Sequence, residues 1–362
     1  MRARSARRAG RVSALARAAA RPTRAGRGVR RAGARPGRGE PVSAWAHASA
    51  GDTESVLSWV QAGRETPERE ALRVDDTIWT FADLGERVGA AAAGLRRRGV
   101  APGHRVSLKA TNGLPALVAS LAVIEAGATL VPLHPRLTPA EDAVVLADAA
   151  PVLHLAEPDA VELLGAARAY PDVPYEAGTS PGGAVTRAGD RAGDRAPAMV
   201  MYTSGTSGRP KGVVLSRRAF VAAAAASAER LGWGDDERWL LCLPLCHIGG
   251  FSILTRCLLG RGAVVLATGG FRPDAVLDLI ARHRPTLLSV VPTMLHALLE
   301  RDHDGRLASL RAVLVGGAAA SPGLLARCAA RGVAALTTYG LTEACSQVTT
   351  QAPPRTVPHY KA

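Results

Sequence analysis

Apolar runs alternate with helical patterns along the chain from Ile78 onward. Short apolar runs bounded by glycine, proline or polar residues are typical of buried strands, and apolar positions repeated every three or four residues indicate helices. This alternation predicts parallel sheets with helices on both faces. The predicted fold class is therefore α/β, with two doubly wound parallel-sheet subdomains.

Thr80 is a candidate N-cap for a first helix, which we expect to extend through Leu95. The other predicted elements of the first unit are strands at 105–109, 129–133 and 151–155 and helices at 114–125 and from Pro139. In the second unit, strands are predicted at 198–201, 238–243, 263–267, 286–291, 312–316 and 334–339. Helices are predicted there at 216–231, 250–259, 274–283, 293–301 and 322–331.

Changes in composition predict five segments along the chain. The two α/β subdomains occupy 55–156 and 198–351, and all the candidate site residues lie in the second. Between them, 157–197 is predicted to be a loop or linker, because it contains a short low-complexity repeat. An arginine-rich tail at 1–40 and a frayed end at 352–362 complete the chain.

The net charge of +14 comes from the N-terminal tail. Residues 1–39 hold thirteen arginines and no acidic residue, whereas the rest of the chain has 32 basic and 31 acidic residues. A tail so poor in apolar side chains is expected to be disordered in isolation. It could bind acidic surfaces or RNA, act as a transit peptide, or be an extension from an early start codon, and we favour the last. The body therefore gives no sign of specific nucleic-acid binding.

Targeting and cysteine usage indicate a cytoplasmic protein. No apolar signal segment follows the tail, and the most apolar long stretch, Leu114–Leu133, is interrupted by Glu125. Cys242, Cys246 and His247 suggest a metal cluster, but the apolar run around them indicates a buried strand in which cysteine is a small hydrophobe. Five cysteines without CxxC spacing fit a reducing compartment. The sequence is also compatible with a homo-oligomer.

The stretch from Tyr202 to Gly212 carries the strongest chemical signal. Its glycines let backbone N–H groups turn toward an anion, its hydroxyls donate further bonds, and Lys211 adds a positive charge. These features suit a polyphosphate, although Pro210 stands where a Walker A loop needs glycine before its lysine. The stretch lies between a predicted strand and a predicted helix with Ser216 as N-cap, and its length disfavours a plain polar turn.

The ends of predicted strands are the second signal. Ligands of doubly wound sheets bind at the carboxyl ends of strands. Five such ends carry hydroxyls, a histidine, an aromatic ring or a carboxylate: 202–204, 244–247, 291–293, 315–318 and 338–343. This recurrence predicts that they meet in one site.

The last of these ends, with Tyr339, Thr342 and Glu343, suits a nucleotide. The tyrosine offers a face for a purine, the threonine can bond a phosphate oxygen, and the glutamate would hold Mg²⁺, since a carboxylate otherwise repels phosphate. Gly316 and Gly317 would let the backbone approach a flat base or acyl group. Taken singly, each residue could instead serve as core edge, solvent-facing group or tight turn. Their spacing after the glycine–lysine loop favours the ligand site.

These two motifs resemble those of the adenylate-forming superfamily, which includes acyl-CoA synthetases, luciferases and the adenylation domains of peptide synthetases. The resemblance covers roughly residues 55–351. Within the superfamily, three stretches look like the o-succinylbenzoate–CoA ligases of menaquinone biosynthesis, namely 243–254, 289–295 and 342–347.

The resemblance implies an AMP-forming acid–thiol ligase that uses ATP, Mg²⁺ and coenzyme A. A substrate carboxylate would attack the α-phosphorus of ATP, pyrophosphate would leave, and the CoA thiolate would then displace AMP. The expected acid is 2-succinylbenzoate. Another small aromatic or aliphatic carboxylic acid is the alternative.

The resemblance also implies a role for each matching residue. Catalysis would involve Lys211 on the β- and γ-phosphates, Thr342 on the α-phosphate, Glu343 on Mg²⁺ and His247 beside the acyl carboxylate, although His247 could merely pack at a strand end. The implied nucleotide site comprises Thr203, Ser204, Gly205, Thr206, Ser207, Gly208, Lys211, Gly316, Gly317, Ala318, Thr338, Tyr339, Gly340 and Thr342. The implied acid site comprises His247, Gly249, Gly250, Phe251, Ser346 and Gln347.

The chain also departs from the superfamily pattern at its end. Members continue through a small barrel subdomain and a mobile C-terminal domain, which carry an aspartate for the ribose, a hinge and a lysine for adenylation. Because the sequence stops at Ala362, the resemblance implies a truncated ligase core with impaired activity. A catalytically crippled ATP- or acyl-binding fragment is the alternative.

Overall fold

The computed structural model describes residues 57–169, 195–203 and 209–353. The predicted tail, most of the predicted linker, Ser204–Gly208 of the predicted phosphate loop and most of the predicted frayed end lie outside these residues. The helices are α1 (Trp59–Glu65), α2 (Phe81–Arg97), α3 (Leu114–Glu125), α4 (Pro139–Ala149), α5 (Glu157–Ala169), α6 (Arg217–Leu231), α7 (Ile248–Gly260), α8 (Pro273–His283), α9 (Pro292–Arg301) and α10 (Pro322–Ala330).

The strands alternate with these helices as the apolar pattern predicts. They are β1 (Glu70–Val74), β2 (Thr77–Thr80), β3 (Arg105–Lys109), β4 (Thr129–Leu133), β5 (Leu153–Ala156), β6 (Pro197–Thr203), β7 (Lys211–Ser216), β8 (Arg238–Leu241), β9 (Ala263–Leu266), β10 (Leu287–Val290), β11 (Ala312–Val315), β12 (Ala335–Leu341) and β13 (Ser346–Thr350). Short 3₁₀ turns occupy Arg306–Ser309 and Thr342–Ala344. The predicted α/β class is confirmed.

The strands form two sheets that are parallel in their interiors. The five-stranded sheet has the order β5–β3–β4–β6–β7, and only its edge strand β7 is antiparallel. The eight-stranded sheet has the order β13–β12–β11–β10–β8–β9–β1–β2, with antiparallel pairs at both edges. Parallel order places the carboxyl ends of β8, β10, β11 and β12 at one edge of the larger sheet.

Alternating side chains place the core in separate layers. In β8, Trp239 and Leu241 belong to a cluster shared with helices and with the smaller sheet. Leu240, together with Cys242 just after the strand, belongs to a cluster on the opposite face. That opposite cluster includes apolar side chains of α8, α9 and α10, and α4 covers the outer face of the smaller sheet. Burial on both faces therefore explains why the residues of this strand form a continuous apolar run and do not alternate with polar ones.

Capping residues explain where several helices begin. The Thr80 hydroxyl accepts the Asp83 N–H at 3.1 Å, and the Asp83 carboxylate accepts the Thr80 N–H at 2.9 Å, which completes a capping box for α2. The Ser216 hydroxyl accepts the Ala219 N–H at 3.2 Å at the start of α6. Both predicted N-caps are confirmed.

The strand distribution between the sheets differs from the predicted segments. β1 and β2 lie in the first predicted segment but join the larger sheet, whereas β6 and β7 lie in the second and join the smaller one. The predicted boundaries at 156 and 198 therefore do not separate the two sheets. Strand pairing links residues far apart in sequence, so composition along the chain does not reveal it.

Two local predictions were wrong. Helix α5 occupies the start of the predicted linker, where the Asp159 carboxylate accepts the Ala156 N–H at 2.8 Å and Leu163 is buried against the core.

The predicted phosphate loop was expected to connect a strand to a helix. It lies instead between the antiparallel strands β6 and β7, with Thr203 opposite Lys211. The short run Val213–Leu215 carries the missed strand β7.

Candidate functional site

A cavity of about 530 Å³ lies at the carboxyl edge of the larger sheet. The segments that follow β8, β10 and β11 line it together with the end of β12 and the start of β13. Ten predicted site residues are among its walls: His247, Gly249, Gly250, Gly316, Gly317, Thr338, Gly340, Thr342, Ser346 and Gln347. The expectation that these strand ends meet is therefore confirmed for the larger sheet.

A second cavity of about 590 Å³ adjoins the first. Its lining includes Ala318 and Tyr339, and the tyrosine is 63% exposed, so its ring is available to a ligand. Gly317, Thr338 and Gly340 line both cavities. Two molecules bound in the two cavities would therefore meet along one shared wall.

Gly340 allows β12 and β13 to approach each other beside this wall. A Cβ atom at this position would lie 1.9 Å from the carbonyl oxygen of Ser346, a distance that no side chain tolerates. Gly317 has a φ of +76°, in the region that favours glycine. Backbone packing thus accounts for these glycines without any ligand.

Hydrogen bonds order the polar wall of the first cavity. The Ser252 hydroxyl donates to the Ser346 hydroxyl at 3.2 Å, and the Gln347 side-chain oxygen accepts the Ser227 hydroxyl at 2.8 Å. Cys345 and Ser346 both have positive φ values, +56° and +95°. Consecutive residues with positive φ store backbone strain, which is common beside ligand sites.

His247 lies at the N-terminus of α7, where its side chain makes no capping bond. Its ring centroid is 5.5 Å from that of His134, which follows β4 in the smaller sheet. The pKa of His247 is lowered first by partial burial of the ring and then by the nearby His134 and Arg136. At neutral pH the imidazole is therefore uncharged, so one ring nitrogen can donate a hydrogen bond and the other can accept one.

Asn112 holds the loop that presents His247. Its side-chain amide donates to the carbonyl of Leu243 at 2.8 Å, and its side-chain oxygen accepts the Leu245 N–H at 3.0 Å. Asn112 lies between β3 and α3, so this pair of bonds ties the loop of one sheet to the other sheet. Sequence reasoning missed Asn112, because no local pattern indicates such a contact.

Arg256 is the charged residue of the first cavity that sequence reasoning also missed. It is 2% exposed, lies in the middle of α7, and its Nε and Nη2 atoms have no hydrogen-bond partner among the described residues. Burial lowers its pKa to about 10, and its guanidinium lies over the Trp239 ring at 5.3 Å. A lone arginine inside an otherwise apolar helix was the signal available in the sequence.

An unpaired buried guanidinium in a cavity wall is suited to an anionic ligand. Buried charges are normally paired, and an unpaired one is costly. A carboxylate that reached the planar guanidinium, after a small shift of the residues that cover it, could accept two parallel N–H bonds. Arg256 and His247 therefore offer two polar groups in a cavity whose other walls include Leu243, Val291 and Met294.

The two sequence motifs come together beside the cavities. Strand β7, which begins at Lys211, lies against the 3₁₀ turn Thr342–Ala344. Lys211 and Glu343 are both exposed, and no ion pair involves either of them within the described residues. Their ammonium and carboxylate groups are free to meet phosphate and Mg²⁺, and oxygen donors at Glu343 and Thr342 suit that hard cation.

Phe251 does not line either cavity, although it is predicted to contact the acid. It is fully buried and packs edge-to-face against Phe220 at 5.7 Å. Helical spacing is the reason, because this position of α7 faces α6 while Gly249 and Gly250 face the cavity. Ser204, Gly205, Thr206, Ser207 and Gly208 lie outside the described residues, so their predicted role remains a prediction.

Cys242 is a buried core residue, as the apolar run indicated. Its thiol donates to the carbonyl of Ser289 at 3.7 Å. Cys246, in contrast, is only half-buried and lies beside His247 and His134. Across the described ranges, no helix has the length and hydropathy that a membrane span requires.

Together these features define an α/β protein with two joined ligand cavities at the carboxyl edge of a parallel sheet. The sequence matches the family of AMP-binding enzymes over residues 59–361, and the chain belongs to that family. The predicted relationship to adenylate-forming enzymes is therefore confirmed.

Several curated relatives are 2-succinylbenzoate–CoA ligases. The chain is 36% identical to that of Bacillus pumilus (strain SAFR-032) over 290 residues, which are 80% of this chain and 59% of the relative. It is 33% identical to that of Bacillus cereus (strain AH820), with 79% of this chain and 58% of the relative covered. The chain thus spans about three-fifths of the length of these relatives.

Solved structures give the same relationship. The o-succinylbenzoate CoA synthetase of Bacillus subtilis in complex with ATP and magnesium ion matches with a TM-score of 0.69 at 30% identity, covering 82% of this chain and 62% of that one. The same synthetase in complex with the acyl-adenylate intermediate OSB-AMP matches with a TM-score of 0.70 at 31% identity, covering 82% and 77%.

Proposed function

We propose that this chain forms the adenylation core of an AMP-forming acid–CoA ligase whose acid is 2-succinylbenzoate. The observation that carries the proposal is that one cavity is lined by both His247 and the buried Arg256, whose Nε and Nη2 atoms have no hydrogen-bond partner among the described residues. A monocarboxylic acid needs one polar partner for its reacting group, whereas a keto-acid with a second carboxylate needs a further cation. Arg256 meets that need, and the curated 2-succinylbenzoate–CoA ligases support this choice of acid.

The nucleotide would occupy the second cavity, with its base against Tyr339 and its phosphates directed toward Thr342. The acid would occupy the first cavity, with its reacting carboxylate beside His247. The wall of Gly317, Thr338 and Gly340 lines both cavities, so the carboxylate and the α-phosphorus would meet there. The Bacillus subtilis synthetase is solved in complex with ATP and magnesium ion and in complex with OSB-AMP, which supports a site that takes both a nucleotide and an acid.

Electrostatics is the main obstacle to the first step. A carboxylate and a polyphosphate repel each other, and charge develops on the equatorial oxygens as the new bond forms. Lys211 and a Mg²⁺ ion held by Glu343 would offset this charge from the solvent side. Neutral His247 would position the acid through a hydrogen bond. It would not form an ion pair that holds the carboxylate back from the phosphorus.

Two binding measurements and one activity measurement test the proposal. Calorimetry should show MgATP binding, and 2-succinylbenzoate should bind more tightly than benzoate or palmitate. Pyrophosphate should be released only when MgATP and the preferred acid are both present. His303→Ala is a suitable control, because His303 is exposed and lines neither cavity.

The outcomes separate the alternatives. Equal affinity for benzoate and 2-succinylbenzoate would reject the choice of acid, and a preference for palmitate would reject the small-acid site. Binding of MgATP and acid without any pyrophosphate release would reject adenylation by this chain and favour the alternative of a fragment that only binds these ligands.

A further inference from the structure

His134 and Cys246, which have no role in the proposed ligase reaction, form a cluster with His247. One ligand atom from each residue lies within 4.8 Å of the other two. The cluster joins the two sheets, because His134 follows β4 of the smaller sheet and the Cys246–His247 pair follows β8 of the larger sheet. The sequence analysis interpreted Cys242 as a core residue and did not predict a metal cluster here, and His134 comes from a different sheet.

We propose that His134, Cys246 and His247 bind one zinc-like divalent ion, with a water molecule as the fourth ligand. Two imidazoles and a thiolate are the donor set that Zn²⁺ prefers, whereas Mg²⁺ prefers oxygen. The site is therefore chemically distinct from the magnesium position proposed at Glu343.

The geometry requires only a small closure of the three side chains. Tetrahedral zinc bound at about 2.0–2.3 Å would place its ligand atoms about 3.3–3.8 Å from one another. The separations of up to 4.8 Å would close by side-chain rotation, because none of the three side chains is fully buried.

Protonation favours the two imidazoles as ligands. Burial and neighbouring positive charges lower the pKa values of His134 and His247, so both rings are neutral at pH 7 and keep a lone pair. Burial raises the pKa of Cys246 to about 11, so its thiol must lose a proton to solvent as the metal–sulfur bond forms. Metal affinity should therefore increase with pH.

Two features oppose binding and limit its strength. The Nδ1 atom of His134 accepts the Arg136 N–H at 3.1 Å, and metal binding must reorient this ring or shift its proton. Arg136 and Lys109 also place positive charge near His134, although Lys109 is paired with Asp142. The thiolate formed at Cys246 offsets part of this charge.

Bound metal would also change the acid cavity. His247 lines that cavity, and a metal bond would occupy a ring nitrogen that otherwise faces the acid. Bound zinc would therefore weaken acid binding, because the acid would lose its hydrogen bond to His247.

Cobalt titration of the full chain tests the site directly, because Co²⁺ takes zinc sites and reports thiolate ligation by a charge-transfer band. One equivalent should produce this band, and Zn²⁺ should abolish it. His134→Ala should weaken Co²⁺ binding by at least about tenfold, and Cys246→Ser should remove the band. His303→Ala and Cys328→Ala, which change residues outside the cluster, should leave the band and affinity unchanged.

Alkylation of the wild-type protein provides a second measurement that does not depend on a variant folding. Zn²⁺ should slow iodoacetamide modification of Cys246, as read by mass spectrometry of the peptide. The absence of a band, a band that survives Cys246→Ser, or alkylation of Cys246 at an unchanged rate would overturn the proposal. These experiments contain neither ATP nor acid, so their failure is distinct from failure of the proposed ligase function.

Discussion

Replacing Arg256 by methionine should stabilise the fold and weaken dicarboxylate binding at the same time. Burial lowers the Arg256 pKa from 12.5 to about 10, which corresponds to about 3 kcal/mol of unfavourable desolvation in the folded state. Because the folded pKa is the lower one, this cost is fully present at pH 7 and declines only as the pH rises above about 10. Methionine has a similar length and carries no charge, so it removes the cost without leaving a large void.

The lost contact with Trp239 offsets part of this gain. A guanidinium over an indole contributes about 0.5–2 kcal/mol, so the net increase in the free energy of unfolding should be about 1–2 kcal/mol. In the liganded protein, charge-assisted bonds to a carboxylate should contribute about 1.5–3 kcal/mol. Arg256→Met should therefore weaken 2-succinylbenzoate binding by about 10- to 100-fold.

Urea denaturation at pH 7 and calorimetric titration measure the two effects separately. Arg261→Met is a matched control, because Arg261 follows the same helix but is paired with Glu65 at 2.6 Å. That control should lose up to about 1 kcal/mol of stability and keep its affinity for the acid. Lower stability of Arg256→Met, or an unchanged affinity for the dicarboxylate, would refute the assignment of Arg256.

Three further variants test other parts of the site. Lys211→Ala should weaken MgATP binding by at least about tenfold, since a charge-assisted phosphate contact is lost, and equal calorimetric affinities would contradict this. Gly340→Ala should lower the free energy of unfolding by about 1–3 kcal/mol because the added methyl group overlaps a backbone carbonyl, whereas Gly323→Ala, which has open space in a helix, should not destabilise. His247 has a lowered pKa, so its contribution to stability is complete above about pH 6.5 and is lost as the pH falls through the lower folded value. His247→Gln should flatten that decline in urea denaturation measured between pH 7 and 5, and an unchanged slope would show that other groups cause it.

The sequence alone determined much of the secondary structure and the class of chemistry. The apolar pattern predicted α3 and β4 with their observed bounds, because their side chains form continuous buried runs ended by glycine or polar residues. The hydroxyl–glycine–lysine stretch and the Tyr339–Glu343 motif indicated a nucleotide site and led to the correct family. These features are local, so neighbouring residues suffice to reveal them.

Only the tertiary structure decided which distant residues share a site. The exchange of strands between the sheets pairs β6 with β4 and β1 with β9, which are far apart in sequence. The bonds from Asn112 to the His247 loop and the approach of His134 to Cys246 join segments more than a hundred residues apart. Arg256 is a similar case, since a charged residue in an apolar helix becomes informative only when it is seen buried, unpaired and facing a cavity. Such contacts depend on packing and strand order, which the pattern of neighbouring residues does not encode.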